Sequence, residues 1–352
     1  EGVQAAYGPK FGKIGFVETL KAAKAHANYN VPLKPGQGRG IACGYWFNWD
    51  GETCVTLNIN DDGTVVIALG TPDIGGTRAS ISQMVAEELG IEYAKVQATV
   101  VDTSALGFND VTGGSRVTFA CGMAAVQAAR DVISDLCGRA AGIWGIEPEA
   151  VDWVDGEARP SGSNAGEFDP MSLADIAKLA GKTGGPIAGH AEFSAKGAGV
   201  SFSTQMVDVE VDRETGRTEI LRYTVIQDAG KAIHPSYVEG QYQGGAAQGI
   251  GWALNEEYIY GEDGRLQNAG FLDYRMPVAS DLPMIDTVIV EVPNPDHPYG
   301  VRGVGETSIV PPMGAVANAV ADATGLRMPS LPMSPPKVLK ALDEQPIQDA
   351  AE

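Results

Sequence analysis

The chain has 352 residues, of which 44% are hydrophobic and 45 are glycine, with a net charge of −20. This is a globular composition, too long for one ordinary core, so two packed lobes are expected. The acidic balance excludes a general nucleic-acid surface, which needs clustered Lys and Arg. No run approaches the roughly 20 apolar residues of a membrane span, and no signal-peptide pattern is visible. A cytoplasmic protein with no membrane insertion is expected. The cysteines, Cys43, Cys54, Cys121 and Cys137, form no CxxC pair, and the four histidines are scattered. Zinc and iron–sulfur sites draw on dense, short-spaced ligands. The sequence therefore implies no metal held by its own side chains, and buried thiols in a reducing compartment.

Residues 14–27 read as an amphipathic helix and 31–40 (VPLKPGQGRG) as a Pro/Gly linker. Candidate strands lie near 41–47, 53–59 and 63–69, the last two joined as a hairpin through Asp61-Asp62-Gly63. A helix near 77–89, a strand near 94–102 and a long small-residue helix near 117–143 follow. The apolar spacing of that long helix is dense, so it is expected to be buried on several sides. The polar, breaker-rich stretch 155–170 predicts a surface excursion. Strands near 203–211 and 217–227 come next, closed by the turn 212–216. Then come a glycine-rich helix near 235–253, strands near 255–260 and 285–292, and helices near 312–325 and 335–342. Strands and helices mix without strict alternation, so the class is α+β, or mixed α/β. The expected organisation is an N-terminal helix and linker over 1–40, a first lobe over 41–185 and a second over 186–352.

Four segments carry candidate chemistry. In GTPDIGGTRAS, a strand runs through Gly75 and Gly76 into a helix, which leaves backbone N–H groups free at a helix start, where anions bind. Taken alone, this also fits a tight turn with an N-cap. The stretch VTGGSRVT at 111–118 repeats the pattern, with Thr112, Gly113, Gly114, Ser115 and a fixed charge on Arg116. Two such loops suggest a polyphosphate or pterin-like ligand held by amides and hydroxyls. In GQYQGGAAQGIGWA at 240–253, five glycines sit in a helix, each costing about 1 kcal/mol against alanine. Close packing against backbone or a flat cofactor would compensate. Gln241, Gly245 and Gln248 share one face there. In YGVRGVGETSIVPP at 299–312, Gly303 and Gly305 flank Glu306. A carboxylate in a squeezed loop suits a general base, although local features alone read first as a surface or N-capping glutamate.

Together these segments resemble the molybdopterin-binding subunits of the xanthine dehydrogenase / aldehyde oxidoreductase family. The strongest match is VRGVGETSIVPPMGAVANAVADATGLRMPSLPMSPPKVLKAL at 301–342, followed by IQDAGKAIHPSYVEGQYQGGAAQGIGWAL at 226–254. Residues 70–77 and 102–122 match more loosely. The resemblance implies the second, two-lobed molybdopterin-binding domain of a molybdenum hydroxylase, with cofactor between lobes whose glycine-rich segments converge. It implies hydroxylation of an N-heteroaromatic or aldehyde carbon with oxygen from water, and Glu306 as base. It further implies cofactor contacts at Gly75, Gly76, Thr112, Gly113, Gly114, Ser115, Arg116, Gln241, Gly303 and Gly305. The cofactor expected is molybdenum–molybdopterin in its cytosine dinucleotide form, with [2Fe–2S] clusters and FAD on partner subunits. The first loop departs from the family's Gly-Gln-Gly: Ile74-Gly75-Gly76 lacks the side-chain amide. The family's N-terminal large-subunit half is also absent. Split large subunits occur in the family, as in nicotinate hydroxylase, so the expected partners are a chain carrying that half, an iron–sulfur subunit and a flavin subunit. A non-catalytic assembly subunit is the alternative. A Rossmann dehydrogenase does not fit, because no ribose-binding acid follows the first loop at the required distance.

Overall fold

The computed structural model describes residues 2–5, 10–195 and 199–345. Its elements are α1 (Phe16–Ala25), β1 (Gln37–Trp46), β2 (Gly51–Ile59), β3 (Val65–Leu69), α2 (Thr77–Leu89), β4 (Val96–Val100), α3 (Gly122–Trp144), β5 (Val151–Val154), β6 (Glu157–Pro160), β7 (Met171–Ser172), α4 (Leu173–Lys178), β8 (Ile187–Ala195), β9 (Ser201–Val211), β10 (Thr218–Asp228), α5 (Pro235–Leu254), β11 (Ile285–Val290), α6 (Pro312–Thr324) and α7 (Pro335–Asp343). The mixed α/β class holds. A π-helical turn over Val117–Cys121 leads into α3.

Two four-stranded sheets organise the molecule, ordered β4-β3-β2-β8 and β1-β9-β10-β11. The first carries α2 and α3 on one face. Val55, Leu57, Ile67 and Ala191 meet Met84, Val85, Ala128 and Val132 in one apolar cluster. The second sheet is covered on both faces, and β9 is accordingly buried almost throughout. Val207, Val209 and Val225 pack towards α5 and α6, while Met206 and Ile226 pack with Ala23 of α1.

The sheets cut across the lobe boundaries expected at 40/41 and 185/186. β1 pairs antiparallel with β9 in the second sheet, and β8 pairs with β2 in the first. The expected linker is strand from Gln37 onward. Its glycines are there for close approach: a Cβ on Gly40 would lie 1.8 Å from the Ala315 carbonyl oxygen, and one on Gly38 2.2 Å from that of Ala319. They let α6 lie directly on the strand. Within the expected excursion at 155–170, residues 161–170 do run at the surface, while β6 joins a small sheet ordered β5-β6-β7, anchored by the fully buried Ala158. The strand expected at 255–260 reduces to an isolated bridge between Tyr260 and Leu266. β8 and α4 are additional to the elements read from sequence. The cysteines are free, but only Cys54 and Cys121 are buried; Cys43 is exposed.

Candidate active site

A cleft of about 340 Å³ opens where the two sheets' loops meet. Of the candidate residues, Gly75, Thr112, Gly113, Ser115, Arg116, Gln241, Gly303, Gly305 and Glu306 line it. Gly76 and Gly114 do not line it but shape the loops: both have positive φ, 75° and 72°. A Cβ on Gly76 would strike the Tyr237 ring at 2.3 Å, so glycine lets the first loop rest on that ring.

Glu306 is bound to the second loop across 191 residues of chain. Ser115 Oγ donates to Glu306 Oε2 at 2.8 Å, and the Glu306 backbone N–H donates back to Ser115 Oγ at 3.0 Å. Asn48 supports both sides of this pair. Its Nδ2 donates to the Ser115 carbonyl at 3.1 Å, while its Oδ1 accepts from Gly303 N at 3.1 Å. Two buried strand glutamines hold the glutamate loop from below: Gln227 Nε2 donates to the Val304 carbonyl and Gln205 Nε2 to that of Ser308, both at 2.8 Å. Ser308 Oγ closes the turn by donating to the carbonyls of Gln241 and Gly305. These amides satisfy buried carbonyls that would otherwise cost about 1–3 kcal/mol each, so they fix the loop in one place.

Gln241 projects from α5 between the first and fourth segments. A Cβ on Gly75 would be 2.9 Å from its Nε2, and one on Gly305 2.9 Å from its Oε1. The side-chain amide missing from the first loop is thus brought beside Gly75 by another element. Gln248, expected on the same face, is not among the lining residues. Three of the five helix glycines serve close packing: Cβ atoms on Gly245, Gly249 and Gly251 would meet Ser308, Pro312 and Glu256 within 2.6 Å, whereas those on Gly240 and Gly244 would meet nothing within 4 Å. Arg116 lines the cleft, but its guanidinium faces inward and donates to the carbonyls of Asp50, Glu52 and Asp110.

Lys231, His234 and Tyr237 also line the cleft, and sequence reasoning missed them. His234 and Tyr237 stack, with ring centroids 3.9 Å apart. Lys231 pairs with Glu291 at 3.2 Å. The available signal was a Lys and a His just before Pro235, the first residue of a helix.

The cleft suits an anionic, heterocyclic ligand. The first turns of α2 (Thr77, Ser80) and α5 (Tyr237, Val238) and the approach to α3 (Val117, Thr118) all line it. Helix starts carry partial positive charge, although the N–H groups of Tyr237 and Val238 already donate to the His234 carbonyl. The buried Thr77 Oγ1 and His234 Nδ1 have no hydrogen-bond partner in the protein, which leaves polar capacity for a ligand.

A molybdopterin cofactor-binding domain matches residues 13–283, and the chain belongs to that family. It is 31% identical over 320 residues to the putative xanthine dehydrogenase molybdenum-binding subunit XdhA of Escherichia coli, a match covering 86% of this chain and 41% of that protein. It is 30% identical over 293 residues to the 6-hydroxypseudooxynicotine dehydrogenase complex subunit gamma of Paenarthrobacter nicotinovorans, covering 80% of this chain and 36% of that one. The fold matches quinoline 2-oxidoreductase from Pseudomonas putida with a TM-score of 0.84 at 22% identity, over 98% of this chain and 48% of the other. The chain spans less than half the length of each of these proteins. No helix among the described residues is long and apolar enough to cross a membrane.

Proposed function

We propose that this chain is the catalytic half of the molybdenum-binding part of a hydroxylase, with Glu306 as general base. The observation that carries the reading is the reciprocal Ser115–Glu306 pair, which sets a carboxylate in the cleft where three helix approaches converge. When bound, molybdenum–molybdopterin would supply the two-electron chemistry that hydroxylates a carbon with oxygen from water.

The rest is the work of this chain's residues. The start of α2, with the unpartnered Thr77 hydroxyl, would face the cofactor's phosphates, and the Gln241 carboxamide, beside Gly75 and Gly305, offers both a donor and an acceptor to a heterocycle. Ser115 donates to Glu306 Oε2, which leaves Oε1 to accept a proton from a water-derived hydroxyl. Relatives are named for xanthine, 6-hydroxypseudooxynicotine and aldehydes, so an N-heteroaromatic or aldehyde substrate is proposed. A cytosine dinucleotide form of the cofactor, an N-terminal-half molybdopterin subunit, an iron–sulfur subunit and a FAD subunit complete the proposed complex. A carboxylate held in the cleft by Ser115 on a loop braced from below favours catalysis over an assembly role, which has no need of it.

The test is metal and pterin analysis of the complex beside turnover of Glu306→Gln with heteroaromatics and aldehydes. The expected result is molybdenum retained near one per complex and kcat lowered about 10²- to 10⁴-fold. An intact complex without molybdenum or pterin overturns the reading. Wild-type turnover in the variant overturns the assignment of the base.

A further inference from the structure

We propose that Cys54, His190 and Glu192 form a zinc-type divalent cation site on the first sheet, outside the cofactor cleft. His190 and Glu192 stand two residues apart on β8, and the β2–β8 ladder brings the distant Cys54 beside them. Cys54 pairs with Glu192 and Thr56 with His190, two steps apart in register, so all four side chains share the sheet face opposite α3. One ligand atom from each of Cys54, His190 and Glu192 lies within 4.8 Å of the others.

The spacing fits one ion. Cys54 Sγ is 4.0 Å from His190 Nε2, and His190 Nε2 is 3.5 Å from Glu192 Oε1. Tetrahedral zinc, with bonds of about 2.3 Å to sulfur and about 2.0–2.1 Å to nitrogen or oxygen, separates such atoms by about 3.6 and 3.3 Å. Shifts of a few tenths of an ångström bring these two pairs to zinc spacing; the Cys54 and Glu192 ligand atoms lie within 4.8 Å, and rotation of the exposed Glu192 side chain would close that pair. The mixed thiolate, imidazole and carboxylate set favours zinc over magnesium or calcium. With His190 and Glu192 exposed, a fourth position faces solvent.

The surroundings orient the ligands as metal sites require. His190 Nδ1 lies 2.9 Å from Thr56 Oγ1; with its N–H donated there, the Nε2 lone pair points at the site. The His190 backbone N–H is held by Asp131 at 3.1 Å. The Asn109 carboxamide brackets the Cys54 peptide, accepting from its N–H at 3.2 Å and donating to its carbonyl at 3.3 Å. Gly107 leaves room at the sulfur, where a Cβ would sit 2.9 Å from Sγ. A nucleophilic triad does not fit these contacts. Glu192 lies on the same ring nitrogen as Cys54, so it cannot orient the imidazole as a base for the thiol. Because the Asn109–Cys54 clamp lies at the head of the loop that ends in Ser115, a bound ion would brace that loop.

The experiment uses the complete complex, stripped with chelator and reloaded with Zn2+, with zinc counted by mass spectrometry and its shell read by zinc K-edge absorption. The expected result is one more zinc per complex copy of this chain in wild type than in His190→Gln. Its shell should hold one sulfur at about 2.3 Å and nitrogen or oxygen at about 2.0–2.1 Å. Thr56→Val should weaken binding about 10- to 100-fold by releasing the ring, and Cys43→Ser, which removes the exposed thiol, should leave it unchanged. The proposal is overturned if wild type and His190→Gln carry equal zinc, if the shell lacks sulfur, or if Cys43→Ser is the variant that loses the metal.

Discussion

Arg116 and Arg302 stand on the two sides of the cleft, equally buried at 0% and 2% exposed, and are held differently. Each guanidinium ties together three carbonyls, Arg116 from two segments of the chain and Arg302 from three. Arg116 joins those of Asp50, Glu52 and Asp110, and Arg302 those of Lys13, Val200 and Val292. Arg302 adds an ion pair with the buried Asp228 at 3.1 Å, whereas among the described residues no carboxylate lies within ion-pair distance of Arg116. Burial pushes the Asp228 carboxyl up and the Arg302 guanidinium down, each opposed by the other's charge. Both arginines are cross-braces for the residues that follow or precede them, Ser115 on one side and Gly303 to Glu306 on the other. The difference is in charge. Arg302 is neutralised where it stands, while Arg116 leaves a positive charge under the cleft that favours an anionic ligand.

That contrast predicts different responses to mutation. Arg302→Met strands a buried carboxylate and should cost about 3–5 kcal/mol, read from the denaturation midpoint. Adding Asp228→Asn should recover part of the loss. Arg116→Met should also destabilise, but Asp110→Asn should not rescue it; a rescue there would erase the distinction between the two braces.

His297, in the seam against Phe119, tests the same interior by pH. Burial holds it at about 4, below the usual 6.5. As pH falls below 6.5 the unfolded chain takes up a proton that the folded chain refuses until about 4. The stability contribution is therefore full above pH 6.5 and is lost towards pH 4, by about 3 kcal/mol. His297→Asn can keep the acceptor for the Tyr299 N–H and should flatten stability across that window; an unchanged slope would place the titration elsewhere.

Two smaller effects concern the loops that the braces hold. Ser115→Ala removes the donor to Glu306 and should lower kcat about tenfold, at the lower end of the 1.5–3 kcal/mol expected for a charged hydrogen bond, with cofactor content retained. Gly75→Ala introduces a side chain at a φ of 74° beside Gln241. It should cost about 1–2 kcal/mol and reduce molybdenum retention slightly. A Gly75→Ala effect larger than that of Ser115→Ala would shift the weight of the site from the base to the first loop.

What the sequence determined by itself was local. Helix periods and stops placed α2 and α6 within a residue, because a Gly-bounded apolar period leaves little choice. Asp61-Asp62-Gly63 placed the β2–β3 hairpin. The glycine loops and Glu306 were legible as motifs, since a backbone that must pass close to a ligand has few residues to choose from. The tertiary structure alone decided which strand joins which sheet, because an alternating pattern specifies a buried face and not a partner. For that reason Gly38 and Gly40 read as linker until α6 was seen lying on them, and Arg116 read as a ligand charge until its carbonyls were found. Lys231, His234 and Tyr237 reach the cleft only because α5 crosses beneath it. Cys54 and His190, 136 residues apart, become neighbours through a strand pairing that no short spacing announces.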